Sequence, residues 1–214
     1  MRILAVSDEE SPALWEHYVP GRLKEYDLIL SCGDLHSSYL SFLVTAGRCP
    51  VLYVHGNHDS SYAENPPEGC DCIDGKLVGY NGVRILGLGG CMRYHPGAHQ
   101  YTEKEMRQRI RKLRFQLWRR KGVDIVVTHA PPKGIGDADD PAHWGFQALR
   151  DLLEKYQPQY MFHGHVHPTY GSDTTRVRQL GRTKVVNAYE RYCFDMPDRD
   201  FPAKHTGRII GIKD

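Results

Sequence analysis

The sequence has no long hydrophobic run and no signal-peptide pattern. Its first apolar run, residues 3–6, is followed at once by the charged stretch Asp8-Glu9-Glu10. A run of this length is too short for the core of a signal peptide or for a membrane span, which needs about 20 apolar residues. We therefore expect a soluble protein in the cytoplasm, without a membrane partner.

The sequence also has no strong charge of one sign and no CxxC cysteine pair. Its formal net charge is +2, so overall electrostatics alone do not predict a nucleic-acid or membrane binder. The six cysteines are scattered, which favours reduced thiols over disulfides and disfavours a zinc ribbon. The length of 214 residues and the 40% hydrophobic content predict one globular domain over 1–214. Within this domain we expect a core over about 1–170 and a C-terminal β-hairpin and tail over 171–214.

Short apolar runs alternate with segments of helical period along the chain. This alternation predicts an α/β protein with a largely parallel sheet. Two β-hairpins are predicted in addition, around Tyr80-Asn81-Gly82 and around Leu180-Gly181-Arg182-Thr183, so two stacked sheets are expected. The predicted strands are residues 3–6, 28–31, 51–54, 83–88, 125–128 and 160–162, and the predicted helices are residues 12–26, 37–47, 102–121 and 145–156.

Polar side chains follow five of the predicted strands, at the point where each strand ends. Ligands of open α/β sheets bind at the carboxyl ends of strands, so this convergence predicts a functional site. Each piece alone also fits an ordinary turn, but the ordered set is far more specific than any member. The pieces are Asp8-Glu9-Glu10, Gly33-Asp34, Gly56-Asn57-His58-Asp59, His129, and Gly164-His165-Val166-His167.

The last four pieces resemble motifs two to five of the calcineurin-like metallophosphoesterases, and the resemblance covers residues 3 to 170. It implies a four-layer α/β/β/α sandwich of two mixed β-sheets flanked by helices. It also implies a dinuclear centre. In that centre Asp34 bridges two metals, and the remaining ligands are Asn57, His129 and His165 for the second metal and Asp8 and His167 for the first.

Two further residues resemble the family's catalytic pair. His58 resembles the histidine that contacts the substrate phosphate and assists the leaving group, and Asp59 resembles its orienting partner. Two divalent ions about 3.5–4 Å apart can hold a bridging hydroxide and clamp a phosphoryl group for in-line attack. The mixed nitrogen and oxygen ligands suit Mn or Fe, with Zn and Ni as alternatives.

The first motif departs from the family pattern Asp-x-His, because Glu10 stands where the histidine is expected. Three interpretations remain open for Glu10. It ligates metal one directly, it acts through water and leaves that metal weaker, or the segment leads into a helix with Ser11 as N-cap and Pro12 at the first helical position. Direct ligation is favoured, since carboxylates bind divalent metals well and would shift the preference towards Mn²⁺ or iron.

The resemblance implies hydrolysis of a small phosphodiester or phosphomonoester, with a nucleotide among the candidate substrates. Loops containing Arg93, Tyr94 and Tyr101, and residues 131–146, are candidate walls of the site. Two rivals remain: a non-catalytic scaffold with the same fold, and a nuclease that acts on polynucleotides. The nuclease would use the basic surface of helix 102–121, for which a merely solvated face is the simpler interpretation.

Overall fold

The computed structural model describes residues 1–168, 175–197, 209 and 211. The regular structure in this part of the chain consists of short β-strands and three α-helices, with single 3₁₀ turns. The strands are β1 (Arg2–Val6), β2 (Leu28–Ser31), β3 (Val51–Tyr53), β4 (Asp71–Cys72), β5 (Leu77–Tyr80), β6 (Val83–Leu88), β7 (Cys91–Met92), β8 (Gln100–Tyr101), β9 (Ile125–Thr128), β10 (Tyr160–His163), β11 (Val177–Leu180), β12 (Thr183–Asn187) and β13 (Tyr192–Asp195). The helices are α1 (Ser37–Gly47), α2 (Glu103–Arg119) and α3 (Gln147–Tyr156), and single 3₁₀ turns lie at Arg22–Glu25, Asp59–Ala63 and Pro141–His143.

Eleven of the described strands form two large mixed sheets, and β7 and β8 pair in parallel as a separate two-stranded sheet. The first has the order β13-β1-β2-β3-β4, with β1 to β4 parallel and β13 antiparallel to β1. The second has the order β11-β12-β10-β9-β6-β5, in which β12, β10, β9 and β6 are parallel. The strands β1, β2, β3, β9 and β10 are apolar on both faces because both faces are covered, as parallel sheets require.

Three apolar clusters separate four layers. The cluster between the sheets includes Ile3, Leu30, Ile85, Val127 and Phe162, all fully buried. A second cluster packs α1 on the outer face of the first sheet, and a third packs α2 and α3 on the outer face of the second sheet. The expected α/β/β/α sandwich is confirmed. No described helix is long and apolar enough to cross a bilayer.

The predicted helix over residues 12–26 is wrong. Residues 12–17 form irregular turns, and only Arg22–Glu25 is helical, as a 3₁₀ turn. The Ser11 hydroxyl donates a hydrogen bond to Glu190 instead of capping a helix, and Gly21 after Pro20 takes φ = 91°. A proline followed by a left-handed glycine interrupts a helix, so the helix lead-in interpretation of this segment fails with it. The other three predicted helices and both hairpins are confirmed.

A largely buried ion pair joins α2 to the second sheet close to the edge that carries the motifs. The Arg109 guanidinium binds Asp74 and also donates to the Gly89 carbonyl at 2.7 Å. Asp74 accepts from the Gly89 amide at 2.6 Å and lies 3.4 Å from His55 Nδ1. Burial alone would raise the pKa of Asp74, but its hydrogen bond to His55 and the charge of Arg109 hold that pKa at about 2.

We predict that Asp74→Asn destabilises the fold at pH 7 by up to about 3–5 kcal/mol, since it leaves the largely buried Arg109 without its counter-charge. Because the folded pKa of Asp74 is depressed, its contribution is present above the unfolded value of about 4 and is lost as the pH falls through about 2. Urea unfolding at pH 7 and at pH 2 should therefore show a penalty that shrinks in acid.

Asp151→Asn is the matched control, because Asp151 also pairs with an arginine at 2.7 Å but is half-exposed. An exposed pair contributes about 0–1 kcal/mol. Equal penalties for the two variants would contradict the assignment of Asp74 as a buried anchor.

Candidate metal centre

The residues after five parallel strands meet at one edge of the sandwich. Asp8 follows β1, Asp34 follows β2, and the segment 56–59 follows β3 in the first sheet. In the second sheet His129 follows β9, and His165 and His167 follow β10. The carboxyl ends of parallel strands lie on the same side, and hydrogen bonds between the two groups of loops show that both sheets contribute to this edge.

Asp34, His129 and His165 form the centre of this group. One potential ligand atom from each lies within 4.8 Å of the other two. The side-chain amide oxygen Oδ1 of Asn57 is 3.0 Å from His129 Nε2, and an Asp34 carboxylate oxygen is 3.2 Å from the same nitrogen. Ligands of one ion at about 2.0–2.2 Å lie at most about 4.4 Å apart, so the distances of 3.0 and 3.2 Å suit a shared cation, and the 4.8 Å limit of the group lies close to this range.

Two main-chain carbonyls orient the central histidines. The Cys32 carbonyl accepts from His129 Nδ1 at 2.9 Å, which leaves His129 Nε2 facing Asp34 and Asn57. The Ala142 carbonyl accepts from His165 Nε2 at 2.7 Å, which leaves His165 Nδ1 with its lone pair. Neither carbonyl is predictable from the sequence, because a main-chain carbonyl carries no residue-type signal. Such partners fix the tautomer of a metal-binding histidine.

The acid–base properties of the two rings differ. Burial lowers the pKa of His165 to about 3, so this ring is neutral at neutral pH. Burial would also lower the pKa of His129, but the charge of Asp34 raises it to about 9. Burial would raise the pKa of Asp34, and His129 instead lowers it to about 2. The protonated His129 therefore carries a proton on Nε2, in the space between this nitrogen and the oxygens of Asp34 and Asn57. A metal cation shared by these atoms would occupy the same space.

Asp8 and His167 lie on the other side of the centre. The Asp8 carboxylate accepts from the His165 main-chain amide at 2.9 and 3.0 Å, and one of its oxygens is 3.7 Å from His167 Nε2. Asp8, Asp34 and His165 all have left-handed backbones, with φ of 64°, 57° and 67°. Non-glycine residues in this region are strained, and such strain concentrates at functional sites.

Glu10 has a buried oxygen without a partner. Its Oε1 atom makes no hydrogen bond to any part of the chain that the structure describes. Leaving a buried polar oxygen unpaired costs about 1–3 kcal/mol, more for a charged group, so the site has an unmet demand for a donor or a cation. Glu10, Asp8 and His167 do not belong to either group of three potential ligand atoms found among the described residues, so metal ligation by Glu10 stays a prediction.

Two glycines let the main chain approach the carboxylates. A Cβ on Gly56 would lie 2.0 Å from Asp34 Oδ1, and a Cβ on Gly164 would lie 2.2 Å from Asp8 Oδ2. Any side chain at these positions would displace the carboxylates. The two glycines therefore allow the main chain to lie directly against the Asp34 and Asp8 carboxylates.

His58 and Asp59 occupy the loop after β3. The His58 main-chain amide donates to Asp34 Oδ1 at 2.8 Å, while the residue itself is exposed at the mouth of the site. The buried Asp59 carboxylate accepts from the main-chain amides of Gly56 at 2.7 Å and Asp34 at 2.9 Å. Among the described contacts of Asp59, none reaches the His58 imidazole. Asp59 thus holds the loop that carries His58, and direct orientation of that ring stays a prediction.

The two candidate walls differ in what they bring to the site. In segment 131–146, Asp140 accepts from His143 Nδ1 at 2.9 Å, and the His143 ring lies 5.1 Å from the His165 ring. In the other loop, Arg93 is paired with Glu105 at 3.0 Å and Tyr101 lies under the Arg109 guanidinium. The second loop therefore has its cationic groups engaged within the protein.

A second group of ligand-type residues, His55, Asp74 and His99, lies behind the site. The two imidazoles are stacked with centroids 4.3 Å apart and planes 5° from parallel. An ion in the plane of one ring would lie well outside the plane of the other, and Arg109 already neutralises Asp74. We assign this group a packing role. His163 is likewise packed, with burial lowering its pKa to about 4.

Comparison with known proteins gives relatives that include lariat debranching enzymes. The chain is 30% identical over 197 aligned residues to a lariat debranching enzyme from Drosophila pseudoobscura, in an alignment that covers 66% of this chain and 37% of that enzyme. The chain thus spans little more than a third of that relative.

Solved structures share the fold at lower identity. The structure of TT1561 from Thermus thermophilus matches with a TM-score of 0.61 at 19% identity, covering 88% of this chain and 89% of that one. A dimetal phosphatase from Danio rerio matches with a TM-score of 0.55 at 11% identity, covering 87% and 86%. The sequence model of the calcineurin-like phosphoesterase family matches residues 1–169. The chain therefore belongs to the calcineurin-like phosphoesterase family, whose members include metal-dependent phosphohydrolases.

Proposed function

We propose that this protein is a dinuclear metal-dependent phosphoesterase that hydrolyses a small phosphodiester or phosphomonoester, with the diester preferred. The observation that carries the proposal is the mutual approach of Asp34, His129 and His165 within 4.8 Å, at an edge where Asn57 adds a fourth donor. The name of the lariat debranching enzyme from Drosophila, which denotes cleavage of an RNA branch, supports the preference for a diester.

The donor sets divide between two positions. Asp34, Asn57, His129 and His165 would hold one ion, and Asp8, Glu10 and His167 would hold the other together with Asp34. Two divalent ions bound there would supply an activated water and would withdraw charge from the phosphoryl oxygens. The second set is richer in carboxylates, and oxygen donors of this kind favour Mn²⁺ or iron over Zn²⁺.

The remaining residues would bind and orient the substrate. His58 is exposed at the mouth of the site, and the bond from its amide to Asp34 keeps it next to the metal positions. Its imidazole would donate a hydrogen bond to a phosphate oxygen and then pass a proton to the leaving oxygen. Asp59 fixes this loop through the amides of Gly56 and Asp34.

The rival scaffold function requires a site that has lost its donors. Here Asp34, Asn57, His129 and His165 are gathered around a common space, and buried Asp34 keeps a depressed pKa that leaves it ionised. Retaining such a costly cluster of charge favours catalysis over a purely structural role.

We predict that hydrolysis of bis-p-nitrophenyl phosphate depends on added Mn²⁺, Fe²⁺, Zn²⁺ or Ni²⁺ and is abolished by Asp34→Asn, which removes the shared carboxylate. His58→Ala should lower kcat by about 10²–10⁴-fold while the metal content stays unchanged, because it removes only a proton donor. Rates with p-nitrophenyl phosphate, measured in parallel, give the preference between diester and monoester.

His17→Ala is the matched control, since His17 is exposed and lies outside every motif, and it should retain the full rate. Full activity in Asp34→Asn, or no hydrolysis with any of the metals, would exclude the proposed enzyme.

We also predict that Glu10 sets the metal preference of the site. Glu10→Ala should lower the bound Mn from about two ions per chain to about one, because it removes a donor whose Oε1 is otherwise unsatisfied. Glu10→His should raise the affinity for Zn²⁺ relative to Mn²⁺ and lower the pH optimum, since it replaces an anionic ligand by a neutral one.

Metal content after dialysis and calorimetric titration measure both effects without an activity assay. Glu16→Gln, an exposed carboxylate nearby in the chain, serves as the control and should bind metal like the wild type. Unchanged stoichiometry and unchanged preference in both Glu10 variants would show that Glu10 is not a ligand.

A further inference from the structure

Helix α2 presents two large aromatic side chains to solvent. Trp118 is 74% exposed and Phe115 is 67% exposed, more than any other large hydrophobic residue that the structure describes. Their ring centroids are 5.8 Å apart with planes inclined at 35°. The helix already buries Met106, Leu113 and Leu117 against the second sheet, so this outward pair adds nothing to the core. Exposed aromatic pairs of this kind mark interaction sites.

The aromatic pair is surrounded by cations. Eight of the fifteen residues from 107 to 121 are basic and none is acidic; the eight are Arg107, Arg109, Arg111, Lys112, Arg114, Arg119, Arg120 and Lys121. Arg107 and Arg109 are committed to Asp151 and Asp74. Within the described chain, no carboxylate lies at ion-pair distance from Arg111, Lys112, Arg114 or Arg119. The local positive charge is thus largely uncompensated, although the whole protein carries only +2.

A groove extends this surface towards α3. Ile110, Leu152 and Tyr156 form its apolar part, and Arg111, Arg114 and Lys155 flank it. Phe115 and Trp118 line its continuation together with Arg114 and Lys155. We name the continuous surface formed by Arg111, Lys112, Arg114, Phe115, Trp118, Arg119 and Lys155 the aromatic–basic face.

We propose that the aromatic–basic face binds single-stranded nucleic acid. Sequence-tolerant binding of single strands combines cations that follow the phosphates with aromatic rings on which unpaired bases stack, and this face supplies both. Paired bases in a duplex would not reach Phe115 and Trp118 for stacking. The chemistry therefore selects a polyanion that carries exposed aromatic bases.

Other occupants fit this surface less well. A helix that lies on a membrane needs a broad apolar sector, but the apolar sector of α2 faces the sheet and its outward rings are interleaved with cations. A second copy of the chain would bring the same cluster of unpaired charge against itself in a symmetric dimer. Charge complementarity thus favours a nucleic acid.

The face is separate from the metal centre. Arg109 contacts Gly89 near the catalytic edge, and Trp118 lies nine residues further along α2, a rise of about 13 Å. The helix then leads through Gly122 to the amino end of β9, whereas His129 follows its carboxyl end. The proposal therefore concerns a second surface and does not depend on the proposed catalytic function.

Fluorescence anisotropy with a labelled 20-nucleotide oligouridylate tests the proposal, in EDTA so that no hydrolysis occurs. The wild type should bind, and its log affinity should fall linearly with log salt at a slope of about −0.7 for each phosphate contacted. The triple variant Arg111→Gln, Arg114→Gln, Arg119→Gln should have a slope smaller in magnitude by about 2. Trp118→Ala should weaken binding by about 5- to 100-fold with an unchanged slope.

Trp118→Phe keeps a stacking ring and should bind within a few-fold of the wild type, which separates stacking from a general loss of structure. Arg150→Gln is the charge control, because Arg150 lies on α3 and is already paired with Glu154. Absence of binding by the wild type at 50 mM salt would overturn the proposal. It would also be overturned by equal binding of the triple variant, or by binding of anionic phospholipid vesicles but not of the oligonucleotide.

Discussion

The site depends on hydrogen bonds that cross from one sheet to the other at a single edge. The Asp8 carboxylate in the first sheet accepts from the His165 amide in the second, and His129 in the second donates to the Cys32 carbonyl in the first. Bonds to an ionised acceptor are stronger than neutral ones and fix direction as well as distance. These candidate ligands are therefore held by the opposite sheet, so the ligand geometry follows from the packing of the whole sandwich.

That arrangement concentrates negative charge where folding alone would disfavour it. Buried Asp34 stays ionised because His129 lowers its pKa to about 2, and the same contact raises the pKa of His129 to about 9. A cation placed between the two residues must displace that proton, so metal binding and proton release are coupled. The Oε1 atom of Glu10 is a further buried carboxylate oxygen without a hydrogen-bond partner among the described residues. Main-chain amides stabilise this cluster, because they donate hydrogen bonds to the carboxylates of Asp8, Asp34 and Asp59.

The sequence predicted the elements whose signals are local. Apolar runs identified the central strands, and Asn81-Gly82 identified a hairpin turn, because these patterns arise from burial and from backbone conformation. The helix predicted over 12–26 failed, since its apolar spacing competes with Pro20-Gly21 and with the long-range bond from Ser11 to Glu190. The hydrogen bonds from main-chain amides to Asp59 and from His165 to the Ala142 carbonyl could not be predicted from the sequence either. The contacts of Asp59 with the Asp34 amide and of His165 with the Ala142 carbonyl join segments distant in sequence, and all of these contacts use main-chain atoms that every residue shares.

The small net charge of the protein conceals two regions of opposite sign. The edge with the candidate metal ligands gathers carboxylates, whereas the outward face of α2 gathers arginines without counter-charges among the described residues. Trp118 lies about 13 Å along the helix from the point where Arg109 approaches that edge. This separation exceeds the screening length of about 8 Å at physiological salt, so a cation beside Trp118, such as Arg119, does little to attract a small phosphate ester to the edge. Only a ligand long enough to touch both regions would gain from both, because linkage makes the second contact intramolecular. If both proposed surfaces bind as argued, a mononucleotide would bind through the candidate metal site alone, and a single strand that spans both surfaces would bind through their combined affinity.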